Sequence, residues 1–199
     1  RDLHSFPTRR SSDLVVGVGP AAAAAGTAAR LAAGRYRLVV SAGIGGGFPG
    51  RAEVGSLVVA SEIVAADLGA ETPQGYIGID ELGFGSARIP VDASLAGRLA
   101  EAIRRAGLTV RVAPALTLST VTGTSATAAE LARRVPGAAS EGMEGFGVAT
   151  AASQFGLPVL ELRAISNEVG PRNKAAWRIK DALDALEAAC ALLPEVIAE

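Results

Sequence analysis

The sequence has little of the chemistry that thiol and metal sites need. It contains one cysteine, Cys190, and one histidine, His4. A single cysteine excludes an intramolecular disulfide framework and a cysteine-based zinc site. A single histidine in the first four residues argues against a histidine-dependent triad or a histidine-rich metal site. We therefore expect the chemistry to rest on carboxylates, amides, hydroxyls and backbone groups.

An excess of charge of one sign is also absent. Nineteen basic residues against twenty acidic ones give a formal net charge of −1. That balance gives no excess of basic residues from which to expect a surface that binds nucleic acid or an anionic membrane. No apolar run reaches the roughly 18–20 residues of a membrane-spanning helix, and the N-terminal segment lacks the apolar centre of a signal peptide. We expect a soluble, cytoplasmic protein with neither nucleic acid nor membrane as a partner.

The apolar fraction, in contrast, is 49%, enough for one domain with a sizeable core. Residues 1–14 differ from the rest because they are polar and aperiodic. They resemble translated sequencing-adapter DNA, so we expect a non-native or disordered leader; a genuine flexible arm is the alternative. The natural domain is then expected to begin upstream of Val15, with its first strand missing, and residues 15–199 are expected to form one domain.

Short β-rich runs alternate with helical runs from Val15 onward. This alternation predicts an α/β fold, a mostly parallel mixed central sheet covered by helices, with ligands at the carboxyl ends of strands. The predicted strands are the end of one at Val15–Gly19, then Leu38–Ala42, Leu57–Ala66, Tyr76–Ile79, Leu108–Ala113, Ala115–Val121 and Pro158–Ser166. The predicted helices are Pro20–Ala33, one through Leu95, Leu99 and Ile103, then 125–134, Met143–Phe155 and a tail from Lys174 to Leu193 with Leu183, Leu186, Cys190 and Leu193 as its apolar stripe.

Three stretches carry candidate site residues. After the strand at Leu38–Ala42, the glycines up to Gly47 indicate either a structural turn or a close backbone approach to an anion or sugar. In Glu141–Gly145, Glu144 precedes a helix of small residues, so it either caps that helix or accepts hydrogen bonds from the two hydroxyls of a sugar diol. In Leu160–Asn167, alternation puts Glu161 and Arg163 on one face, as an ion pair or as part of a site, and leaves Ser166 and Asn167 at the strand end.

These stretches belong to three blocks of sequence: Val39–Gly46, Glu141–Ala149 and Arg163–Arg172. Together, in this order, they resemble the nucleoside phosphorylase/nucleosidase superfamily. Within it the likeness is greatest to the futalosine hydrolase family, because Ser166-Asn167-x-Val169-Gly170-Pro171-Arg172, followed by Trp177, is typical of that family. The likeness covers the chain from Val15 to its end.

The resemblance implies roles on the sugar side of a nucleoside. Glu144 would accept hydrogen bonds from the ribose 2′- and 3′-hydroxyls, with Met143 packed on the sugar. Arg163 would help to position that region. The residues lining the water and ribose side would be Ser41, Ala42 and Gly43.

On the base side, the resemblance places Ser166 and Asn167 against the purine. In the related methylthioadenosine/S-adenosylhomocysteine nucleosidases an aspartic acid stands where Asn167 stands, and it acts there as the general acid. A 6-oxopurine presents two acceptors, O6 and N7, and an asparagine NH₂ donates without ionising to repel them. Asn167 therefore suits hypoxanthine as the leaving base. Arg172 would bind the benzoate carboxylate of futalosine, with solvation of a helix N-terminus as the alternative.

The reaction implied is hydrolysis of the N-glycosidic bond of futalosine through an oxocarbenium-like transition state, a step of menaquinone biosynthesis. It releases hypoxanthine and dehypoxanthine futalosine and needs no metal or organic cofactor. The glutamate that activates water is expected upstream of Val15, absent from this chain. A general base contributes about 10²–10⁴-fold, so we expect low activity. The resemblance also implies a homo-oligomer.

Three other functions stay open. The first is a purine nucleoside phosphorylase, for which Arg51 is available to donate hydrogen bonds to phosphate. The second is a methylthioadenosine/S-adenosylhomocysteine nucleosidase, and the third is an inactive purine-binding domain.

Overall fold

The structure, a computed structural model, describes residues 13–198, so the predictions for residues 1–12 lie outside it. A short 3₁₀ helix at Lys174–Ala176 precedes the last two α-helices. The elements in chain order are α1 Pro20–Ala32, β1 Val39–Gly47, β2 Leu57–Ala65, β3 Gly69–Thr72, β4 Gly75–Gly78, α2 Ile79–Leu82, β5 Arg88–Pro90, α3 Ala93–Arg105, β6 Val110–Thr117, α4 Ser125–Arg134, β7 Ser140–Gly142, α5 Gly145–Gln154, β8 Val159–Glu168, α6 Ile179–Cys190 and α7 Leu193–Ala198.

The central sheet closes on itself. Its strand order is β5-β2-β6-β7-β1-β8, and β2 also pairs with β8. The first half of β2 lies against β8 and its second half against β5, so the strands from β2 round to β8 form a ring. The pairs β1–β8, β2–β6 and β6–β7 are parallel, and β1–β7, β2–β5 and β2–β8 are antiparallel. The predicted α/β class is confirmed, with a more evenly mixed sheet than the alternation indicates.

Helix α3 shows how the sequence pattern places a helix on this sheet. The side chain of Asp92 accepts a hydrogen bond from the backbone N–H of Leu95 over 2.9 Å, which caps the helix at its start. Leu99 and Ile103 are fully buried in the main core, together with residues of β2 and β8. Gly107 adopts a positive φ of 80° just beyond the helix, a backbone conformation that commonly ends a helix and that glycine adopts without strain.

Helices α1 and α5 pack so closely that the backbone of one lies directly against the backbone of the other. A Cβ on Gly147 of α5 would stand 2.1 Å from the carbonyl oxygen of Pro20 at the start of α1. No real Cβ approaches that closely, so only glycine fits there. The small side chains of α5, which predict a buried helix from sequence, therefore serve a close helix crossing. None of the helices in residues 13–198 combines the length and apolarity that a membrane crossing requires.

Two strand predictions are wrong for local reasons. Val15–Gly19 forms no strand, because Gly17 and Gly19 adopt φ values of 89° and 88°, which an extended strand does not accommodate. The two strands predicted on either side of Pro114 are one strand, β6. β2 compensates for the missing N–H of proline with a register shift between Ala60 and Ile63, opposite this point.

The C-terminal tail departs from its predicted stripe at one position. Leu186, Cys190 and Leu193 pack against the main core, as predicted. Leu183 is half exposed, and the fully buried positions of α6 are Ala182 and Ala189. Leu183 lies about 100° around the helix from the buried Ala182, so it stands at the edge of the buried face of α6 rather than at its centre.

Candidate functional site

Polar side chains of β1 and β8 meet around the buried guanidinium of Arg163. The two strands run parallel, with Ser41 beside Glu161 and Gly43 beside Arg163. Arg163 donates from Nε to Oε1 of Glu161 over 2.7 Å, and from Nη2 to Oγ of Ser41 over 2.9 Å. Its Nη1 lies 3.6 Å from Oε2 of Glu144. The predicted ion pair of Glu161 and Arg163 is confirmed as part of a larger group, the Arg163 cluster, comprising Ser41, Glu144, Glu161 and Arg163.

Glycines around this cluster provide the space that it occupies. A Cβ on Gly43 would stand 2.5 Å from Nη1 of Arg163, and one on Gly145 would stand 2.1 Å from Oε2 of Glu161. The prediction that the strand ends before Gly43 is wrong, because Gly43–Gly47 continue β1 and pair with β8. Tertiary contact rather than chain reversal explains the run of glycines, since bulky arginine and backbone atoms lie directly against them.

Glu144 follows β7 and stands at the N-cap position of α5, yet its side chain makes no capping hydrogen bond to the helix. The hydroxyl of Thr117 takes that role by accepting from the N–H of Phe146 over 2.8 Å. The Glu144 carboxylate instead accepts from the backbone N–H groups of Gly19 and Met143, each over 3.3 Å. Its side chain is 24% exposed. These long contacts leave the carboxylate able to accept hydrogen bonds from a ligand.

Gly19 is a contact that sequence reasoning missed. It lies 125 residues from Glu144 in the chain, and no local pattern connects the two. Its positive φ of 88°, at the N-cap of α1, is the conformation in which its N–H reaches the carboxylate. The available signal was the pair Gly17 and Gly19 directly before Pro20, which marks a special backbone at a helix start.

Ser166 and Asn167 lie at the carboxyl end of β8, as predicted. The hydroxyl of Ser166 lies 2.9 Å from Oδ1 of Asn167 and 3.3 Å from the carbonyl oxygen of Gly45. Nδ2 of Asn167 donates to the carbonyl oxygen of Glu168 over 3.0 Å. The carbonyl on one side and the hydroxyl donor on the other orient the amide. One N–H of Nδ2 remains available for an acceptor on a ligand.

The remaining predicted site residues are Met143, Ala42 and Arg172. Met143 lies directly beside Glu144, half-buried. Ala42 is exposed and points to the opposite face of β1 from Ser41, so a role for Ala42 passes through its backbone. Arg172 is exposed, with its guanidinium 5.4 Å from the ring centre of Trp177. Within residues 13–198 Arg172 forms no hydrogen bond or ion pair with the Arg163 cluster.

Arg51, the candidate hydrogen-bond donor to phosphate in the phosphorylase alternative, lies outside the Arg163 cluster. Its Nη1 donates to the carbonyl oxygen of Ala138 over 2.9 Å. It lines a surface cavity of about 400 Å³ together with Arg111, at the start of β2 and β6. No member of the Arg163 cluster lines that cavity.

A second buried carboxylate, Glu141 on β7, fastens the segment between β6 and α4. It accepts from the backbone N–H of Thr122 over 2.8 Å and also from the Thr122 hydroxyl. Burial raises the pKa of Glu141, and the two hydrogen bonds from Thr122 oppose that rise. The sequence pattern showed Glu141 next to Glu144 but not that Glu141 bonds a different segment.

The raised pKa of Glu141 predicts a pH-dependent stability. The folded state favours the protonated carboxyl, so this contribution is present below the ordinary pKa of 4.5 and is lost as pH rises through the folded pKa. Glutamine does not titrate and can still pair with both Thr122 groups. We expect the unfolding free energy of Glu141→Gln, relative to the unmodified protein, to increase between about pH 4 and about pH 8.

Urea unfolding at each pH measures this difference. Glu101→Gln, which removes an exposed carboxylate on α3, controls for the loss of one negative charge. A Glu141→Gln difference that stays flat or decreases with pH contradicts the assignment.

Comparison with known proteins identifies the class first. A family model described as the phosphorylase superfamily matches residues 14–199. A 5′-methylthioadenosine/S-adenosylhomocysteine nucleosidase from Neisseria meningitidis has a TM-score of 0.77 at 21% identity, over 90% of this chain and 78% of that one. The native futalosine hydrolase of Helicobacter pylori has a TM-score of 0.77 at 18% identity, over 90% and 77%. At such identities the solved structures show a shared α/β fold.

Sequence relatives then narrow the class. The futalosine hydrolase of Streptomyces coelicolor is 57% identical over 189 residues, which is 92% of this chain and 78% of the relative. The futalosine hydrolase of Acidothermus cellulolyticus is 47% identical over 186 residues, 94% of this chain and 76% of the relative. The chain therefore belongs to the phosphorylase superfamily and, within it, to the futalosine hydrolase family.

Proposed function

We propose that the protein hydrolyses the N-glycosidic bond of futalosine, releasing hypoxanthine and dehypoxanthine futalosine. The 57% identity to the futalosine hydrolase of Streptomyces coelicolor is the observation that carries this proposal. In the reaction the bond between the anomeric carbon and the purine nitrogen breaks, and its electron pair leaves with the base. A water oxygen bonds to the anomeric carbon, and its proton balances the charge of the departing purine.

The Arg163 cluster is proposed to bind the ribose. The Glu144 carboxylate can accept hydrogen bonds from both the 2′- and 3′-hydroxyls, as the resemblance implies. Arg163 lies 3.6 Å from that carboxylate and is itself held by Ser41 and Glu161. A carboxylate beside the sugar also stabilises positive charge developing on the ribosyl group, which strengthens the interaction in the transition state. Met143, Ala42 and Gly43 are proposed to complete the sugar side.

Asn167 is proposed to stabilise the leaving base. As hypoxanthine departs, negative charge develops on its N7 and O6, and both atoms are acceptors. The free N–H of Nδ2 can donate to either of them. Ser166, 2.9 Å from Oδ1, supports the amide orientation in which Nδ2 rather than the oxygen is available. Arg172, exposed beside Trp177, is proposed to pair with the benzoate carboxylate.

The water-activating glutamate stays a prediction. Its expected position is ahead of Val15, and residues 1–14 of this sequence contain no glutamate. We assign the role to none of Glu53, Glu62 or Glu141. Glu62 is paired with Arg88 over 2.5 Å, and Glu141 is occupied by Thr122.

The test is release of hypoxanthine from futalosine in phosphate-free buffer, detected by chromatography over long incubations. Parallel reactions contain inosine with phosphate, and an adenine nucleoside without it. We expect release from futalosine that phosphate does not accelerate. Release only from inosine with phosphate indicates a phosphorylase, release of adenine alone indicates the other nucleosidase class, and purine binding without release indicates an inactive domain.

We also propose that residues 15–199 form one domain, that it assembles as a homo-oligomer without nucleic acid, and that it works in the cytoplasm. Phe84 is 80% exposed between Gly83 and Gly85, an apolar tip that a second copy can cover. Light scattering on the purified chain measures the oligomeric state, and a monomeric mass contradicts the proposal.

A further inference from the structure

Glu161 is a member of the Arg163 cluster for which the proposed reaction gives no contact with the substrate. Its side chain is completely buried on β8. Oε1 is paired with Nε of Arg163 at 2.7 Å, whereas Oε2 has no hydrogen-bond partner among residues 13–198. Gly145 lies directly against the carboxylate, so the packing holds it in place.

Stability alone does not explain this arrangement. A buried ion pair is often no more stable than well-packed apolar residues of similar volume. A buried carboxylate oxygen without a donor adds a desolvation cost. A sequence retaining both costs in the centre of the fold points to a functional use of the charge.

The distances indicate what that use is. Arg163 is 2.7 Å from Glu161 but 3.6 Å from Glu144, so its closest ion pair is with the residue that faces away from solvent. If Glu161 were neutral, the full charge of Arg163 would be directed at Glu144. The guanidinium would then bond the oxygens that the ribose hydroxyls need, and the carboxylate would become a weaker acceptor.

We propose that Glu161 is a positioning residue: by holding Arg163, it keeps the Glu144 carboxylate available to a ribose diol. The formal charge of the cluster, two carboxylates and one guanidinium, is then −1, which suits a site for a sugar that becomes cationic. This inference rests on the proposed role of Glu144 in binding ribose, and it concerns residues that contact each other but not the purine.

The experiment measures recognition of the diol rather than turnover. Calorimetry compares the affinities of inosine and 2′,3′-dideoxyinosine, which share the base and differ only in the two hydroxyls. We expect the unmodified protein to prefer inosine by about 100-fold, because hydrogen bonds to a charged group are the strong ones. Glu161→Gln, of nearly the same volume, is expected to reduce this preference to about 10-fold or less.

Two further variants separate a positioning role from a structural one. Glu161→Asp keeps the charge, so we expect it to restore most of the preference for inosine; it also provides the measurement if Glu161→Gln does not fold. In a double-mutant cycle with Glu144→Gln, adding Glu161→Gln is expected to cause little further loss, because Glu161 acts through Glu144. Glu101→Gln on the exposed face of α3 is the charge control.

The outcomes are distinguishable. A preference for inosine that survives in folded Glu161→Gln overturns the positioning role while leaving the ribose role of Glu144 intact. Losses that add fully in the double-mutant cycle also overturn it, as does a folded Glu161→Asp that fails to restore the preference. Equal binding of the two nucleosides by the unmodified protein overturns the ribose role of Glu144 and this inference with it.

Discussion

Replacing Glu144 by glutamine is expected to lower kcat/KM for futalosine about 100-fold. The variant keeps the size of the side chain but loses the charge that strengthens two hydrogen bonds to the ribose and stabilises the cationic transition state. About 3 kcal/mol of lost transition-state stabilisation corresponds to that factor. Because part of the interaction strengthens only as the bond breaks, most of the loss is expected in kcat rather than in KM.

Two controls make this result specific to Glu144. Glu101→Gln removes an exposed carboxylate from α3 and is expected to leave kcat/KM unchanged. Thermal unfolding of Glu144→Gln shows whether its fold is intact, which we expect because the side chain is partly exposed and makes no capping bond to α5. A folded Glu144→Gln within about threefold of the unmodified rate contradicts the assignment.

Replacing Asn167 by aspartate is expected to reverse the choice of purine. An ionised carboxylate repels the O6 and N7 acceptors of hypoxanthine, whereas adenine offers an amino donor next to N7. Sites built around a hydrogen bond discriminate strongly against the mismatched group, so we expect the ratio of kcat/KM for futalosine to that for an adenine nucleoside to fall about 10³-fold. Chromatography of the released bases measures both rates in one mixture.

The control variants distinguish base selection from general damage. Gln74→Glu makes the same amide-to-carboxylate change at an exposed position in the turn between β3 and β4 and is expected to leave the ratio unchanged. Asn167→Ala removes the amide without adding a charge, so it is expected to slow release of both bases. A folded Asn167→Asp with an unaltered ratio shows that another group selects the base.

Local patterns predict the elements whose causes are local. The apolar spacing of Leu95, Leu99 and Ile103 predicts a helix, and α3 forms at these residues. The same holds for the ion pair of Glu161 and Arg163, because two residues on one strand at even spacing share a face.

Contacts between residues far apart in the sequence could not be predicted from local patterns. Gly43 carries no local sign that an arginine 120 positions later lies against it, so the sequence left its run of glycines open between a structural turn and a close backbone approach to an anion or sugar. The same limit applies to Gly19 at Glu144 and to Thr122 at Glu141. The motifs indicated the candidate residues, but which group holds which carboxylate follows from contacts between distant segments. The pairing of β1 with β8 brings Ser41 beside Glu161, whereas Gly19 and Thr122 reach Glu144 and Glu141 from outside the sheet.

The most direct test of the account is a crystal structure of the protein with hypoxanthine and ribose soaked together. We predict ribose hydroxyls within about 2.6–3.2 Å of the Glu144 oxygens, and O6 or N7 of the base at a similar distance from Nδ2 of Asn167. Electron density for the base at the end of β8, beside these two side chains, is the expected result. Hypoxanthine bound elsewhere, such as in the cavity beside Arg51 and Arg111, with Glu144 still bonded to Gly19, would contradict the account.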